Sequence, residues 1–201
     1  RALHQGLETE LCLAVDVMVP GEALAKLLRA FQARYPSVSL RLAVEALGAV
    51  AALVIDRRAT LAIAGPDIHG HPDIERETVG AVELVPVAAP GHPLANMDRI
   101  APGEARKHLQ LVLSDRSPLT EGRDFSVLSP RSWRLADLGA KHALLKEGLG
   151  WGSMPRHAVR ADLASGALVE ISLPERPPMD YSLVALWRKD TPPGPAATWV
   201  L

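Results

Sequence analysis

LADLGAKHALLKEGLGWGSMP, residues Leu135–Pro155, reads as a helix, a glycine stop, a short covered strand, and a proline that opens the next helix. Ala140, Ala143, Leu144 and Leu145 stand near helical spacing. Gly148 falls where a helix end favours a left-handed residue without a Cβ. Leu149–Met154 is a brief apolar run between turn signals, the pattern of a strand buried on both faces of an α/β sheet. Pro155 has its φ preset for a first helical turn, and RHAVRADLASG runs from it to a second glycine stop at Gly166. A strand-to-helix junction at the carboxyl end of a parallel strand is where open α/β sheets bind ligands.

The same alternation of short strands and helices runs through the chain and predicts a mostly parallel sheet. Leu11–Val15 is read as the first strand, and MVPGEALAKLLRAFQARYP as the first helix, with Leu24, Leu27, Leu28 and Phe31 as its core face. Strands are expected at Val38–Val44, Leu61–Ala64, Ala81–Ala89 (broken by Pro86), Leu109–Ser114, Leu168–Ser172 and Tyr181–Trp187, with a short one inside Ser129–Leu135. Short helices are expected at Val50–Ile55 and in RIAPGEARKHL, with GPDIHGHPDI a turn-rich loop. The tail TPPGPAATWVL, with three prolines, is expected to start a terminal helix late if at all.

Composition narrows the function. With 201 residues and 48% hydrophobic, the chain can build a packed core and is not of disordered type. Its 22 basic and 23 acidic residues nearly cancel, unlike the clustered basic surface of a domain that grips nucleic acid. No run reaches the roughly 18 apolar residues of a membrane span. The start, RALHQGLETELCLAV, lacks the pattern of a signal peptide, and a chain that begins at Arg1 is expected to be a fragment or a processed product. Cys12, the only cysteine, is expected to be a buried thiol within the first strand.

Few residues suggest catalysis. Gly148-x-Gly150-x-Gly152 closes a helix where a dinucleotide fingerprint opens one. His69 and His71 have no third metal ligand at a recognisable spacing, and no Gly-x-Ser-x-Gly elbow or Cys–His pair is present. No catalytic residue, metal or cofactor is therefore expected. Ser114-Asp-Arg-Ser-Pro-Leu-Thr-Glu-Gly follows an apolar strand; its hydroxyls, backbone N–H groups and Arg116 can hold a small anion, or the segment is simply an ordered surface loop. Trp133 reads equally as core or as the wall of a cleft, and Asp137 as a residue favoured by a helix dipole.

Three segments, in order, carry a resemblance. PGEALAKLLRAFQARYPSVSLRL (Pro20–Leu42), LVPVAAPGHPLA (Leu84–Ala95), and GLGWGSMP followed after a helix by LASGALV resemble the C-terminal half of LysR-type transcriptional regulators. One departure is Arg57-Arg58-Ala59-Thr60-Leu61-Ala62-Ile63, where that family often has a Gly…Asp pair. The resemblance implies an α/β fold: two Rossmann-like subdomains joined by two crossover strands, like the type 2 periplasmic binding proteins. Residues 1–82 plus 181–201 would form one subdomain and 83–180 the other. It implies a small-molecule effector in an interdomain cleft. Its contacts would be Asp16, Val17, Met18 and Pro20 after the first strand, Ala46, Leu47 and Gly48 after the second, and Arg116, Ser117, Pro118 and Thr120 in the later loop; Trp133 joins this set as a cleft wall. Val17 and Met18 stand where the family often has small hydroxyl residues that bind a carboxylate. Met18 suits an apolar or adaptable pocket, and Asp16 a cationic or hydroxylated group. A homodimer or higher homo-oligomer, a cytoplasmic location without membrane attachment, and DNA contact only through an N-terminal helix-turn-helix absent from this chain are implied as well. An extracytoplasmic solute-binding protein of the same fold is the alternative reading; an enzyme would need a paired nucleophile and base, which the sequence does not offer.

Overall fold

The computed structural model describes residues 8–66, 71–115, 117–123 and 125–201, and the chain divides into two units. The first comprises Arg1–Ala81, Ser117–Leu119 and Ser182–Leu201, the second Val82–Arg116 and Thr120–Tyr181.

In the first unit, β1 (Glu10–Asp16) leads into helix α1 (Gly21–Arg34), β2 (Ser39–Glu45), helix α2 (Gly48–Ile55) and β3 (Leu61–Ala64). β1 lies between β2 and β3, parallel to both, with Leu11 opposite Leu40, Leu13 opposite Leu42 and Val15 opposite Val44. The returning strand β9 (Met179–Arg188) adds antiparallel to β3. Alternate residues of β1 face opposite sides. Leu11, Leu13 and Val15 pack with Phe31 of α1 and with Ala196, Ala197 and Val200 of the last helix, α5 (Pro195–Val200). Ala14 packs with Val50, Ala51 and Val54 of α2. Of the expected core face of α1, Phe31 is buried, while Leu24, Leu27 and Leu28 are half-buried. The terminal helix forms despite the prolines because Pro195 occupies its first turn, where an N–H is not needed. The Glu8 carboxylate accepts from the N–H groups of Ala196 and Ala197 at 3.0 and 3.2 Å.

In the second unit, β4 (Ile74–Ala88, of which Val82–Ala88 belongs here) pairs antiparallel with β7 (Trp151–Pro155); β5 (Gln110–Leu113) runs parallel to β7 on one side and to β6 (Ser132–Leu135) on the other. Helix α3 (Leu138–Lys146) connects β6 to β7, and α4 (Arg156–Ser165) follows β7. Trp151, fully buried, packs with Leu94, Ile100, Ile171 and Leu173, and its Nε1 donates to the Ala105 carbonyl at 3.1 Å. Asp137 caps α3, accepting from the Ala140 N–H at 2.5 Å. Gly148 and Gly166 follow α3 and α4 with φ of 78° and 76°.

Four expectations need correction. Pro86 does not break β4, which runs 15 residues; its effect falls on the neighbour. The Pro86 carbonyl accepts from the Ile171 N–H at 2.9 Å, but its nitrogen has no proton to return. Beyond it the ladder stops, so β8 is only Val169–Glu170 rather than Leu168–Ser172. The helix expected in RIAPGEARKHL is a single tight turn, Glu104–Lys107, entered through Gly103 at φ 83°. Cys12 is half-buried rather than buried, its thiol 3.4 Å from Glu10 Oε2. Burial and then Glu10 push the thiol pKa up. The helix α3 forms as its spacing predicts, and its buried face is Leu138, Lys141 and Leu145, with Ala140 and Ala143 exposed. Part of the loop Gly65–Ile74, including His69, lies outside the described residues.

The glycines of the deciding stretch set how closely β5 and β7 approach. A Cβ on Gly150 would stand 2.5 Å from the Leu109 carbonyl oxygen, whereas one on Gly21, at the start of α1, would meet nothing within 4 Å. Gly150→Ala should lower unfolding free energy by about 3 kcal/mol through a backbone clash that no side-chain movement relieves. Gly21→Ala should raise it by up to about 1 kcal/mol by narrowing the unfolded ensemble. Urea titrations of both variants check the opposite signs.

Candidate functional site

The carboxyl ends of β1 and β2 lie side by side, since Asp16 pairs with Glu45. The turn after β1 is held by its own first residue. Asp16 is 1% exposed, and its Oδ1 accepts from the Met18 N–H at 2.8 Å, while its carbonyl accepts from Val19 at 2.9 Å. Val17 donates to the Glu45 carbonyl at 2.8 Å, tying this turn to the end of β2. Met18 is buried, Val17 and Pro20 are half-buried, and Pro20 leads α1 in extended backbone.

After β2, Ala46, Leu47 and Gly48 are all buried. Leu47 has φ 49° and ψ −129°, a conformation that a branched side chain adopts only under strain. What holds it is visible: Ala49 donates to the Ala46 carbonyl at 3.1 Å, Val50 to the Leu47 carbonyl at 3.3 Å, and the Leu47 side chain is 8% exposed. The expected contact segments of the first unit are thus brought together on neighbouring strand ends.

In the loop after β5, the Ser117 Oγ accepts from the Leu119 N–H at 3.1 Å and the Thr120 hydroxyl donates to Asp115 Oδ1; Pro118–Thr120 is a single tight turn. Ser117–Leu119 groups with the first unit although the strand before it belongs to the second. Arg116 lies outside the described residues. Trp133 lies within the edge strand β6, opposite Leu111, and is 50% exposed, so it is not core. His92 is structural as its turn suggests, with Nδ1 accepting from the Leu94 N–H at 3.2 Å; burial and then His108 hold its pKa below the ordinary value. Among the described residues no group of three or more His, Cys, Asp or Glu side chains is placed to hold a metal ion, and no helix is long and apolar enough to cross a membrane.

A polar cluster that sequence reasoning missed lies in the second unit. Lys141 is 3% exposed, on the buried stripe of α3, and its Nζ donates to the Ser153 carbonyl at 2.6 Å. Arg176 donates through Nε to the Ser153 hydroxyl at 3.4 Å. Burial, then the Arg176 charge, push the Lys141 pKa down to about 7. The signal was present: Leu138, Lys141 and Leu145 stand three and four apart, which puts the lysine on the core stripe.

The family-level comparison agrees with this architecture. The model of the LysR substrate binding domain matches residues 4–201, and the chain belongs to that family. An uncharacterised HTH-type transcriptional regulator of Escherichia coli K12, YeeY, is 28% identical over 84% of this chain and 55% of its own length. A probable HTH-type regulator of the same organism, YhaJ, is 28% identical over all of this chain and 67% of its own length. The chain therefore spans between about half and two thirds of these relatives. Among solved structures, the effector binding domain of QuiR in complex with shikimate superposes with a TM-score of 0.75 at 21% identity, covering 96% of this chain and 93% of that one. The regulatory domain of Synechocystis CcmR in complex with 2-PG gives 0.70 at 19% identity, covering 90% and 88%. The fold is that of LysR regulatory domains: a mixed α/β sheet of the periplasmic-binding-protein kind.

The pH dependence of stability tests the Lys141 environment. Its ordinary pKa is 10.5 and its folded value about 7, so between these the unfolded chain holds one more proton than the folded one. Stability from this group therefore rises with pH across that window and is lost below it. Lys141→Met, similar in length and uncharged, should be more stable than wild type at pH 6, with the gap closing towards pH 10. Urea midpoints at a series of pH values measure it; parallel profiles would contradict the assignment.

Proposed function

We propose that this chain is the effector-binding and oligomerisation domain of a LysR-type transcriptional regulator, non-enzymatic and cytoplasmic, reaching DNA through a separate helix-turn-helix domain. The observation that carries the reading is the family match across residues 4–201, on a fold shared with effector-bound regulatory domains. The chain's formal net charge of −1 supports the assignment of DNA contact to another domain. The solute-binding alternative has no comparable support, since the matched relatives are transcriptional regulators.

The proposed effector contacts are Asp16, Val17, Met18, Pro20, Ala46, Leu47 and Gly48, with Arg116, Ser117, Pro118 and Thr120 from the loop after β5 and Trp133 from β6. Buried, hydrogen-bonded turns are pre-organised, so little ordering entropy is lost when they close on a ligand. A ligand that binds one arrangement of the protein better than another shifts its population towards that arrangement, which is how such a domain signals. A thermal-shift screen of metabolites should yield a compound that raises the melting temperature by mass action. Thr120→Val, which keeps the shape but removes the hydroxyl bound to Asp115, should weaken that shift at least severalfold. Absence of any hit in a broad panel would count against the reading, and an unchanged shift in Thr120→Val against the contact set.

The homodimer has a surface to support it. β2 is an edge strand, and Leu40, Leu42 and Val44 on one face are 37%, 39% and 53% exposed. Their register partners Leu11, Leu13 and Val15 are buried beneath α1 and α5, so the apolar face continues one strand beyond its cover. Exposed apolar rows on edge strands are association surfaces. Sedimentation should give about twice the 21.5 kDa chain mass, and Leu42→Lys should shift the equilibrium towards monomer. A monomer at high micromolar concentration would refute the proposal.

A further inference from the structure

Lys141 and Arg176 meet at one residue, Ser153, from different elements: Lys141 from α3 and Arg176 from the segment after β8. Lys141 is almost fully buried, and the carbonyl of Ser153 is its one hydrogen-bond acceptor among the described residues. The carboxylates on nearby elements are engaged elsewhere. Glu175, next to Arg176, accepts from the Gly103 N–H; Asp137 caps its own helix; Asp162 takes His142 and Lys146; Asp115 takes Thr120. Among the described residues, two like charges thus share a half-buried serine with no carboxylate bonded to either. That arrangement is costly in an empty protein, because each cation loses hydration and repels the other. It becomes favourable when an anion arrives, since charge-assisted hydrogen bonds to oxyanions are about twice as strong as neutral ones.

The local backbone prepares Ser153 for this. Pairing of β5 with β7 is confined to Gln110 and Trp151, and two residues on, the Ser153 carbonyl is taken by Lys141 instead of by the ladder. Gly152 makes room for the lysine: a Cβ there would stand 3.1 Å from Lys141 Cε. The Ser153 hydroxyl accepts from Arg176, which leaves its own proton free to donate.

We propose that Lys141, Ser153 and Arg176 form an oxyanion subsite for the effector, resting on the reading of this chain as an effector-binding domain. The anionic group accepts from the Arg176 guanidinium and the Ser153 hydroxyl. Lys141 is a positioning residue that fixes Ser153 through its carbonyl and adds positive field from behind. The effector class is therefore a small acid, a carboxylate or a phosphate ester.

The test uses the intact chain and two sets of probes. Orthophosphate and chloride are compared at equal ionic strength by thermal shift at pH 6 and pH 8. A panel of small carboxylic acids and phosphate monoesters is then screened beside the neutral amides or alcohols of the same skeletons and a set of amines. We expect orthophosphate to stabilise beyond chloride, more at pH 6 than at pH 8, and the hits to be acids. Arg176→Gln should weaken acid hits about tenfold or more, the loss of one charge-assisted bond. Lys141→Met should weaken them and flatten the pH dependence. Should either variant fold poorly, Ser153→Ala serves as the second probe, removing the hydroxyl that accepts from Arg176 and donates to the anion. Phosphate no better than chloride, or acids and neutral analogues binding equally in wild type and Arg176→Gln, overturns the subsite and leaves the effector-binding reading standing. A panel without a single acid, neutral or amine hit overturns the effector-binding reading itself.

Discussion

Between β5 and β7 there is no room for a Cβ. Gly150 and Gly152 bring the strand backbones so close that a methyl group at either position would stand 2.5 Å from a carbonyl oxygen, Leu109 O in one case and Leu111 O in the other. Much of the second unit depends on that approach. It seats Trp151 against Leu94, Ile100, Ile171 and Leu173 with its indole N–H satisfied, and it lets the aliphatic stem of Lys141 lie over the bare backbone of Gly152. A larger residue at 152 would displace the lysine, and with it the contact that fixes the Ser153 carbonyl.

In the first unit the turns at the strand ends are tied down by hydrogen bonds. Asp16 bonds to Met18 within its own turn, Val17 ties that turn to the end of β2, and Leu47 is held in left-handed backbone by burial and by the first bonds of α2. Backbone strain of the kind seen at Leu47 persists only where the surrounding structure holds it.

Ion pairs elsewhere mark where rigidity is needed. Arg156, at the first turn of α4, meets Glu83 on β4 and Glu170 on β8, and Asp162 on α4 meets His142 and Lys146 on α3. Their side chains are partly exposed, so each contributes little energy. Their value is geometric, since they tie both helices that flank β7 to the rest of the unit.

Much of the fold was legible in the sequence because it rests on local signals. The glycine stops at Gly148 and Gly166, the proline entry at Pro155 and the apolar strands follow from backbone sterics and periodicity, which act within a few residues. So was the placement of Asp16–Pro20 and Ala46–Gly48 at strand ends, and the order of motifs that led to the family. What the sequence could not decide depends on neighbours far along the chain. Pro86 reads as a strand breaker, yet the bond it cannot make is owed to Ile171, so the strand that shortens is β8. The prolines before Pro195 argue against a terminal helix until Glu8, 188 residues away, supplies its cap. Trp133 is ambiguous until β6 proves to be an edge strand. Lys141 shares a stripe with Leu138 and Leu145 in the sequence, but only the packing of α3 in the second unit sets it beside an arginine that no local pattern connects to it. Local sterics determine which elements form; only tertiary packing determines which polar groups lose water together, and that loss gives a buried lysine its chemistry.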